Sequence, residues 1–280
     1  MHLLLIRHGE TEHNVAGLLA GVTDSKLTNH GVLQTQRLGK FLTTNRKLHF
    51  TQIFTSDLQR AWMTGDEVRK AQQAEYGTSK AVTEVVKLEL LREQDFGSLE
   101  LVPWASKRDD DPLTVKVPSD TDPDFKPKET KEQMRKRADT FLDDYFSPLL
   151  AVDSEEETVA IVSHGLFLSA LWRALLSRFT TSSITLGPEI GPQSPGRPLE
   201  YIGAWSNTGY LELEVNGQKR DVSSDDGASS APEYKDHSLK VLAINRRDHL
   251  NNLKRTRGVG SATHDPRQQS IAGFFKRPKT

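Results

Sequence analysis

Short apolar runs alternate with helix-like segments along the first two thirds of the chain. Runs typical of buried strands lie at 2–6, 51–56, 85–91 and 158–163. A chain that alternates strands and helices in this way favours a parallel sheet covered by helices on both faces. We therefore predict an α/β fold, a three-layer αβα sandwich with a mostly parallel central sheet.

The segments between these runs carry apolar residues at the three- and four-residue spacing of amphipathic helices. Thr28 is a suitable N-cap for the first helix. The fourth helix is the stretch GLFLSALWRALL, which follows 158–163. The apolar positions of the other three are Leu33, Leu38, Phe41 and Leu42; Leu58, Ala61, Trp62, Gly65 and Val68; and Met134, Ala138, Phe141, Leu142, Tyr145 and Leu149.

The remaining segments are assigned by composition. Residues 101–130 are rich in Pro, Asp and Lys, which predicts a lid or insertion. Residues 180–198 are predicted to form a loop, and the alternating residues 210–215 a strand suited to a sheet edge. We predict a flexible insertion at 216–237 and a last strand at 238–245. We place the end of the folded domain, residues 1–250, near Leu250.

Charge and cysteine content narrow the possible functions. The formal net charge is −1, but residues 254–280 hold seven Lys or Arg and one Asp, so 251–280 is predicted to be a basic, disordered tail. The absence of cysteine excludes disulfides, thiol catalysis and Cys-ligated zinc. No stretch approaches the roughly 20 apolar residues of a membrane span. We expect an intracellular protein, cytoplasmic or nuclear, that does not bind a membrane.

Charged side chains follow each predicted strand. Arg7 and His8 follow the first, Arg60 lies just beyond the second, Glu93 follows the third, and His164 follows the fourth. The carboxyl ends of parallel strands meet at one edge of a sheet, where such folds bind their ligands. Two guanidinium groups and two imidazoles at that edge would form a positive pocket suited to a phosphoryl group.

These residues stand in motifs that resemble the histidine phosphatase superfamily, also called phosphoglycerate mutase-like. The motifs are RHGETEHN, DSKLTNHG, SDLQRAWMT, LREQDFGSLE and VSHG, in the order of that family. The resemblance covers about 1–215 and extends toward 250. It implies an αβα fold and hydrolysis of a phosphomonoester through a phosphohistidine, with no metal or cofactor.

The resemblance also implies a role for each matching residue. His8 is the expected nucleophile, Glu93 the general acid, and Arg7, Arg60 and His164 the groups that hold the phosphoryl oxygens. Asn14, Thr23 and Gly165 are expected to contact the substrate. Many members carry an Arg and a Gln-Gly pair after the position of Asn14. Here Leu18, Ala20 and Gly21 occupy that stretch, so Thr23 and backbone amides are the expected replacements.

Two other functions fit the same motifs. A phosphoglycerate mutase-type phosphotransferase would need fixed cations in the 101–130 lid to hold a carboxylated sugar acid. That lid interleaves its Lys and Arg with Asp and Pro, so we favour hydrolysis. A non-catalytic interaction protein could use the same fold as a scaffold, but the intact set of Arg7, His8, Arg60, Glu93 and His164 argues against it.

The tail carries a second motif, at 268–275. Gln268, Ile271, Phe274 and Phe275 match a PIP box, the peptide that docks on a PCNA-type sliding clamp. One helical turn would place the last three on one side. The alternative is that both phenylalanines fold back on this protein. The short basic runs of the tail are weak signals for nuclear import, and nothing indicates a fold that binds nucleic acid directly.

Overall fold

A computed structural model describes residues 1–77, 84–104, 117–150, 157–190, 199–217, 234–255, 263–264 and 268. Its centre is a sheet of seven strands in the order β3-β2-β4-β1-β6-β7-β5. The strands are β1 (His2–Arg7), β2 (Gln52–Ser56), β3 (Val86–Leu88), β4 (Thr158–Ser163), β5 (Ile184–Leu186), β6 (Tyr210–Gly217) and β7 (His237–Arg246). The half formed by β1 to β4 is parallel, and β6 runs antiparallel to both of its neighbours.

Helices cover both faces of the sheet. They are α1 (Glu12–Ala16), α2 (Asn29–Lys40), α3 (Gln59–Tyr76), α4 (Lys131–Phe141), α5 (Ser147–Leu150) and α6 (Gly165–Leu176). Short π-helical turns extend α2 through Phe41–Asn45 and join α4 to α5 through Leu142–Phe146. The predicted cap is confirmed, because the Thr28 hydroxyl accepts a hydrogen bond from the amide of Gly31 at the start of α2.

Each central strand sends alternate side chains to opposite faces, so two apolar cores form. Leu3 and Leu5 of β1 pack with α4 and α6, whereas Leu4 and Ile6 pack with α2 and α3. Strand β4 divides its side chains between the same two cores. A strand buried on both faces needs a continuous apolar run, which is the pattern that predicted it. The αβα sandwich and its mostly parallel sheet are confirmed.

Two details of the predicted sheet are wrong. The loop predicted at 180–198 contains β5, a three-residue strand parallel to β7. The strand at 210–215 is not at an edge: β6 lies between β1 and β7. Its alternation of Leu and Glu suggested one solvated face, but Glu212 is buried to 1% exposure.

Glu212 is buried because three side chains hydrogen-bond or pair with its carboxylate. Arg46 donates to both carboxylate oxygens, at 2.6 and 3.0 Å, and the His2 imidazole lies 2.9 Å from Oε1. Arg246 approaches to 3.6 Å. Burial alone would raise the pKa of Glu212, but the hydrogen bonds from His2 and Arg46 outweigh it and lower that pKa to about 2.

Acid should therefore destabilise the wild-type protein, because it protonates the Glu212 carboxylate. The Glu212→Gln variant lacks that carboxylate at every pH. The folded-state pKa lies below the ordinary value of 4.5, so the stabilisation is present above pH 4.5 and is lost as the pH falls toward 2. At pH 6 the variant should lose about 2 kcal/mol of unfolding free energy in urea titrations, and this deficit should shrink at pH 3. The control is Glu214→Gln, because the Glu214 side chain is 40% exposed and its ion pair with Lys240 is long, at 3.9 Å. Equal losses in both variants would contradict the prediction.

Three short parts of the predicted tail, 251–255, 263–264 and 268, are among the described residues. His264 contacts the side chains of Glu12 and Lys26, and the Gln268 amide pairs with the main chain of Leu27. These contacts tie the tail to the domain next to α2. Ile271, Phe274 and Phe275, with most of the predicted insertion and part of the lid, lie outside the described residues. Among the described helices, none has the length and apolarity to cross a membrane.

Candidate active site

The predicted cluster forms where β1, β2 and β4 end. The three strands are neighbours in the sheet, and the His8 amide bonds to the carbonyl of Ser163 at 3.0 Å. Arg60 lies in the first turn of α3, immediately after β2, and His164 caps α6 after β4. Short parallel strands thus bring together side chains that are up to 156 residues apart (8 to 164).

The ring of His8 is held in one tautomer. It is 3% exposed, and its Nδ1 lies 2.7 Å from the carbonyl oxygen of Gly9. Because a carbonyl can only accept, Nδ1 carries the proton and Nε2 keeps its lone pair. Burial, followed by the charges of Arg60 and Arg7, lowers the pKa of His8 well below 6.5. The imidazole is therefore neutral at neutral pH, the state that a nucleophile requires.

His164 takes the opposite tautomer. Its Nδ1 accepts a hydrogen bond from Arg60 Nε at 3.1 Å, so the proton lies on Nε2. That nitrogen is buried and has no hydrogen-bond partner among the described residues. The His8 and His164 rings are 5.0 Å apart between centroids, and burial followed by the charge of Arg60 lowers the pKa of His164 well below 6.5. His164 thus carries a donor N–H beside the nucleophile.

Arg60 also fixes the loop that follows Asn14. Its two terminal nitrogens donate to the carbonyls of Gly21, at 2.6 Å, and Thr23, at 2.9 Å. Burial lowers the pKa of Arg60 to about 10, which leaves it charged at neutral pH. Gly21 has φ +48°, and a Cβ there would lie 1.7 Å from Glu100 Oε1, so a larger residue would displace the loop.

Glu100 supports the same loop from the other side. Its carboxylate accepts from the amides of Val22, Thr23 and Phe96 at 2.9 to 3.1 Å. The role of Glu100 is therefore to hold the backbone. Thr23 contacts Arg60 and Glu100 through its main chain and is not among the described residues that line the cavity beside His8.

Arg7 lies on the cavity wall with a donor to spare. One terminal nitrogen donates to the carbonyl of Trp205 at 2.6 Å, whereas Nε is buried without a partner among the described residues. Burial lowers the pKa of Arg7, and the Glu93 carboxylate acts in the opposite direction. A Cβ on Gly165 would lie 3.8 Å from Arg7 Nε and 4.0 Å from Glu93 Oε2, so Gly165 leaves the space between them open.

Glu93 is placed by the N-terminus of α6. Oε1 accepts from the amides of Phe167, at 2.9 Å, and Gln94, at 3.0 Å, and Oε2 accepts from Leu166 at 3.1 Å. Free amides at a helix start suit a carboxylate. Among the described residues, Oε1 accepts two amides and Oε2 accepts one, so Oε2 is the oxygen with room for a proton.

Arg137 supports the loop that carries Glu93, and this contact was not predicted from the sequence. Arg137 of α4 donates to the carbonyls of Leu90 and Arg92, at 2.7 and 3.0 Å, and its other nitrogens pair with Glu129. Arg137 therefore locks the loop that carries the predicted general acid. Arg137 lies on a helix face where an Arg is ordinarily a surface residue, so no sequence pattern indicated this role.

A cavity of about 600 Å³ opens beside His8. Arg7, His8, Asn14, Arg60, Glu93 and Gly165 line it. His164 is not among the described lining residues, but it contacts two of them, Arg60 and His8. The Asn14 Oδ1 accepts from Thr11 N, at 3.2 Å, and Asn207 Nδ2, at 3.0 Å, so its own amide nitrogen is left to donate. The lining residues that sequence reasoning missed are Leu19, Phe96, Trp104, Leu166, Ser169, Gly203, Ala204, Trp205 and Asn207.

Comparison with known proteins identifies the family. The family model described as histidine phosphatase superfamily (branch 1) matches residues 3–185. The chain belongs to that superfamily. The resemblance inferred from the five motifs is thereby confirmed, together with the prediction of an enzyme of this family.

Relatives within the histidine phosphatase superfamily include the probable phosphatase C1620.13 of Schizosaccharomyces pombe. It is 30% identical over 280 residues, which cover 98% of this chain and 79% of that protein. The fructose-2,6-bisphosphatase TIGAR of Xenopus tropicalis is also 30% identical, but over 59% of this chain and 56% of its own length.

Solved structures of the superfamily share the fold. A mycobacterial glucosyl-3-phosphoglycerate phosphatase in complex with VO3 gives a TM-score of 0.55 at 18% identity, covering 87% of this chain and 98% of its own. A phosphoserine phosphatase from Entamoeba histolytica gives 0.54 at 21% identity, covering 89% and 98%. At such identities the likeness extends to the fold alone.

Proposed function

We propose that this histidine phosphatase superfamily member hydrolyses phosphomonoesters through a phosphohistidine on His8. The observation that carries the proposal is the state of His8: a buried, neutral imidazole beside two charged arginines, with Nδ1 fixed on a carbonyl and no hydrogen bond to Nε2 from the described residues. Arg7 and Arg60 hold the phosphoryl oxygens and balance the charge that develops on them. His164 Nε2 and the Asn14 amide add neutral donors.

The reaction takes two displacements. In the first, His8 Nε2 attacks phosphorus, the bond from phosphorus to the ester oxygen breaks, and protonated Glu93 gives its proton to that oxygen. In the second, water attacks the phosphohistidine, Glu93 takes a proton from the water, and the P–N bond breaks. Orthophosphate and an alcohol leave, and His8 and Glu93 return to their starting states. Neither step requires a metal ion.

Hydrolysis fits the described cavity better than phosphoglycerate mutase chemistry. A mutase must hold a carboxylated sugar acid in two orientations, which needs cations beyond those that grip the transferring phosphoryl group. Among the described lining residues, the cations are Arg7 and Arg60. Both are committed to the phosphoryl group in the mechanism above.

The test is hydrolysis of p-nitrophenyl phosphate in excess EDTA, followed across pH. We expect turnover that added magnesium does not increase. Because the lowered pKa of His8 keeps its imidazole neutral, the acid limb of kcat/KM, corrected for substrate ionisation, should lie below pH 6.5. The proposal fails if chelation abolishes turnover or if the limb lies above pH 6.5.

We also propose that the tail recruits the enzyme to a PCNA-type sliding clamp. Support comes from the spacing of Gln268, Ile271, Phe274 and Phe275, and from the basic flanks, which favour encounter with an acidic surface. Gln268 exchanges two hydrogen bonds with the main chain of Leu27, at 3.0 and 2.8 Å. Clamp binding through Gln268 therefore requires release of that contact.

Calorimetry of the full chain with a sliding clamp tests this recruitment. The double variant Phe274→Ala/Phe275→Ala should raise the Kd at least about 100-fold, because it removes two apolar side chains that contact the clamp. The control is Gln269→Ala, beside the motif but not at one of its positions, which should leave the Kd unchanged. Equal affinity of wild type and double variant would remove the clamp from the proposal.

A further inference from the structure

The cavity beside His8 has two chemically different ends. The phosphoryl end holds the charged groups described above. The large apolar side chains of the described lining lie elsewhere on the wall, among small and amide residues; they are Leu18, Leu19, Phe96, Trp104, Leu166 and Trp205. The leaving group of a bound phosphomonoester must occupy the space that this wall encloses.

The hydroxyl of Ser169 and the amide nitrogen of Asn207, both on that wall, already make hydrogen bonds within the protein. Ser169 Oγ donates to the carbonyl of Gly165 at 2.9 Å and accepts from Trp205 Nε1 at 3.0 Å. Asn207 Nδ2 donates to the carbonyl of His8 and to Asn14 Oδ1, at 3.1 and 3.0 Å. A sugar or polyol buried here would compete with these internal hydrogen bonds for partners of its hydroxyls, and a buried hydroxyl without a partner is costly.

The charges on the wall disfavour leaving groups that are themselves anionic. In the part of the lining that the structure describes, Glu93 is the acidic side chain, and the basic ones are Arg7 and Arg60. A carboxylate or second phosphate on the leaving group would lie near Glu93 without a cation of its own. The wall is thus matched neither to a bisphosphate nor to a phosphoglycerate.

Trp104 is fixed by its backbone yet presents its ring to solvent. Its amide donates to the carbonyl of Gly17 at 3.0 Å, and its neighbour Pro103 pairs with Leu18. Gly17 has φ +69°, and a Cβ there would lie 3.2 Å from Trp104 Nε1. Trp104 is 69% exposed, and Leu166 on the same cavity is 46% exposed. Such exposed apolar surface is stabilised when a flat apolar group covers it.

We propose that the substrate is a phosphomonoester with a flat, uncharged aromatic leaving group, and that Trp104 determines this preference by stacking on that group. The proposal rests on the function proposed above and adds the substrate class. Phe96 and Trp205, 8% and 6% exposed, form the fixed inner wall against which the group packs.

The experiment compares two phosphomonoesters of primary alcohols with similar leaving-group acidity, so that chemistry does not mask binding. For full-length protein, kcat/KM for 2-(1-naphthyl)ethyl phosphate should exceed that for ethyl phosphate about 10- to 100-fold. Trp104→Ala should reduce this ratio at least about tenfold, and Trp104→Phe should keep most of it. The matched control is Trp62→Ala on α3, a ring that lies under Lys87 outside the cavity and whose loss should leave the ratio unchanged.

The outcomes separate this proposal from the one on which it rests. Turnover of p-nitrophenyl phosphate together with a ratio near one overturns the substrate class and leaves the phosphatase function standing. A higher kcat/KM for 3-phosphoglycerate or fructose 2,6-bisphosphate than for the naphthyl ester overturns it as well. An unchanged ratio in Trp104→Ala overturns the role of Trp104. Absence of turnover with every ester overturns both proposals.

Discussion

Replacing His8 with alanine should reduce phosphatase activity at least about 10,000-fold, to the limit of detection. The variant removes the protein atom that bonds to phosphorus in the proposed mechanism, Nε2 of the ring whose Nδ1 is held by the carbonyl of Gly9. A radiolabelled phosphomonoester, quenched in alkali to preserve phosphohistidine, should label the wild-type protein and leave His8→Ala unlabelled. Initial rates and label incorporation together measure the prediction.

Structural damage is separated from loss of the nucleophile by two measurements. His8→Ala should still bind orthophosphate in calorimetry, because Arg7 and Arg60 are unchanged. His49→Ala is the matched variant: that ring is exposed and packs 5.5 Å from Tyr76, so its loss should leave the rate within about twofold. Residual labelling of His8→Ala, or an equal rate loss in His49→Ala, would refute the assignment of His8.

The charged residues of the site could be predicted because their positions follow from the sheet. Buried parallel strands leave a strong apolar signature, and the residues that follow them must lie at one edge. Arg7, His8, Arg60 and Glu93 all line one cavity, and His164 is hydrogen-bonded to Arg60. Strand positions alone were therefore enough to bring these five residues together.

The walls of the site and parts of the sheet could not be predicted in the same way. Trp104 and Trp205 come from segments without periodicity, so only the folded chain shows that they share a cavity with His8. Glu212 produced an alternating pattern typical of an edge strand, although Arg46 allows its burial in the centre of the sheet. A hydropathy pattern predicts burial from the polarity of each residue type. It contains no information on a distant partner, such as Arg46, that allows a charged residue to be buried.

The second large effect is expected from Glu93→Gln, and it should depend on the leaving group. Ethyl phosphate needs a proton on its departing oxygen, so kcat/KM should fall about 100- to 10,000-fold. The p-nitrophenolate group leaves without protonation, so kcat/KM for p-nitrophenyl phosphate should fall less than about tenfold. With that ester the second displacement still lacks its base, so kcat should fall and labelled phosphoenzyme should accumulate.

This dependence distinguishes proton transfer from a purely structural role of Glu93. The carboxylate also accepts three backbone amides at 2.9 to 3.1 Å, and losing those contacts would slow every ester by a similar factor. The control is Glu89→Gln, since the Glu89 side chain is 76% exposed on the same loop. It should leave kcat/KM unchanged for both esters. A uniform loss across both esters in Glu93→Gln would show that Glu93 positions α6 and the loop without serving as the acid. A leaving-group-dependent loss has no such structural explanation, because the two esters meet the same protein and differ in the basicity of one oxygen.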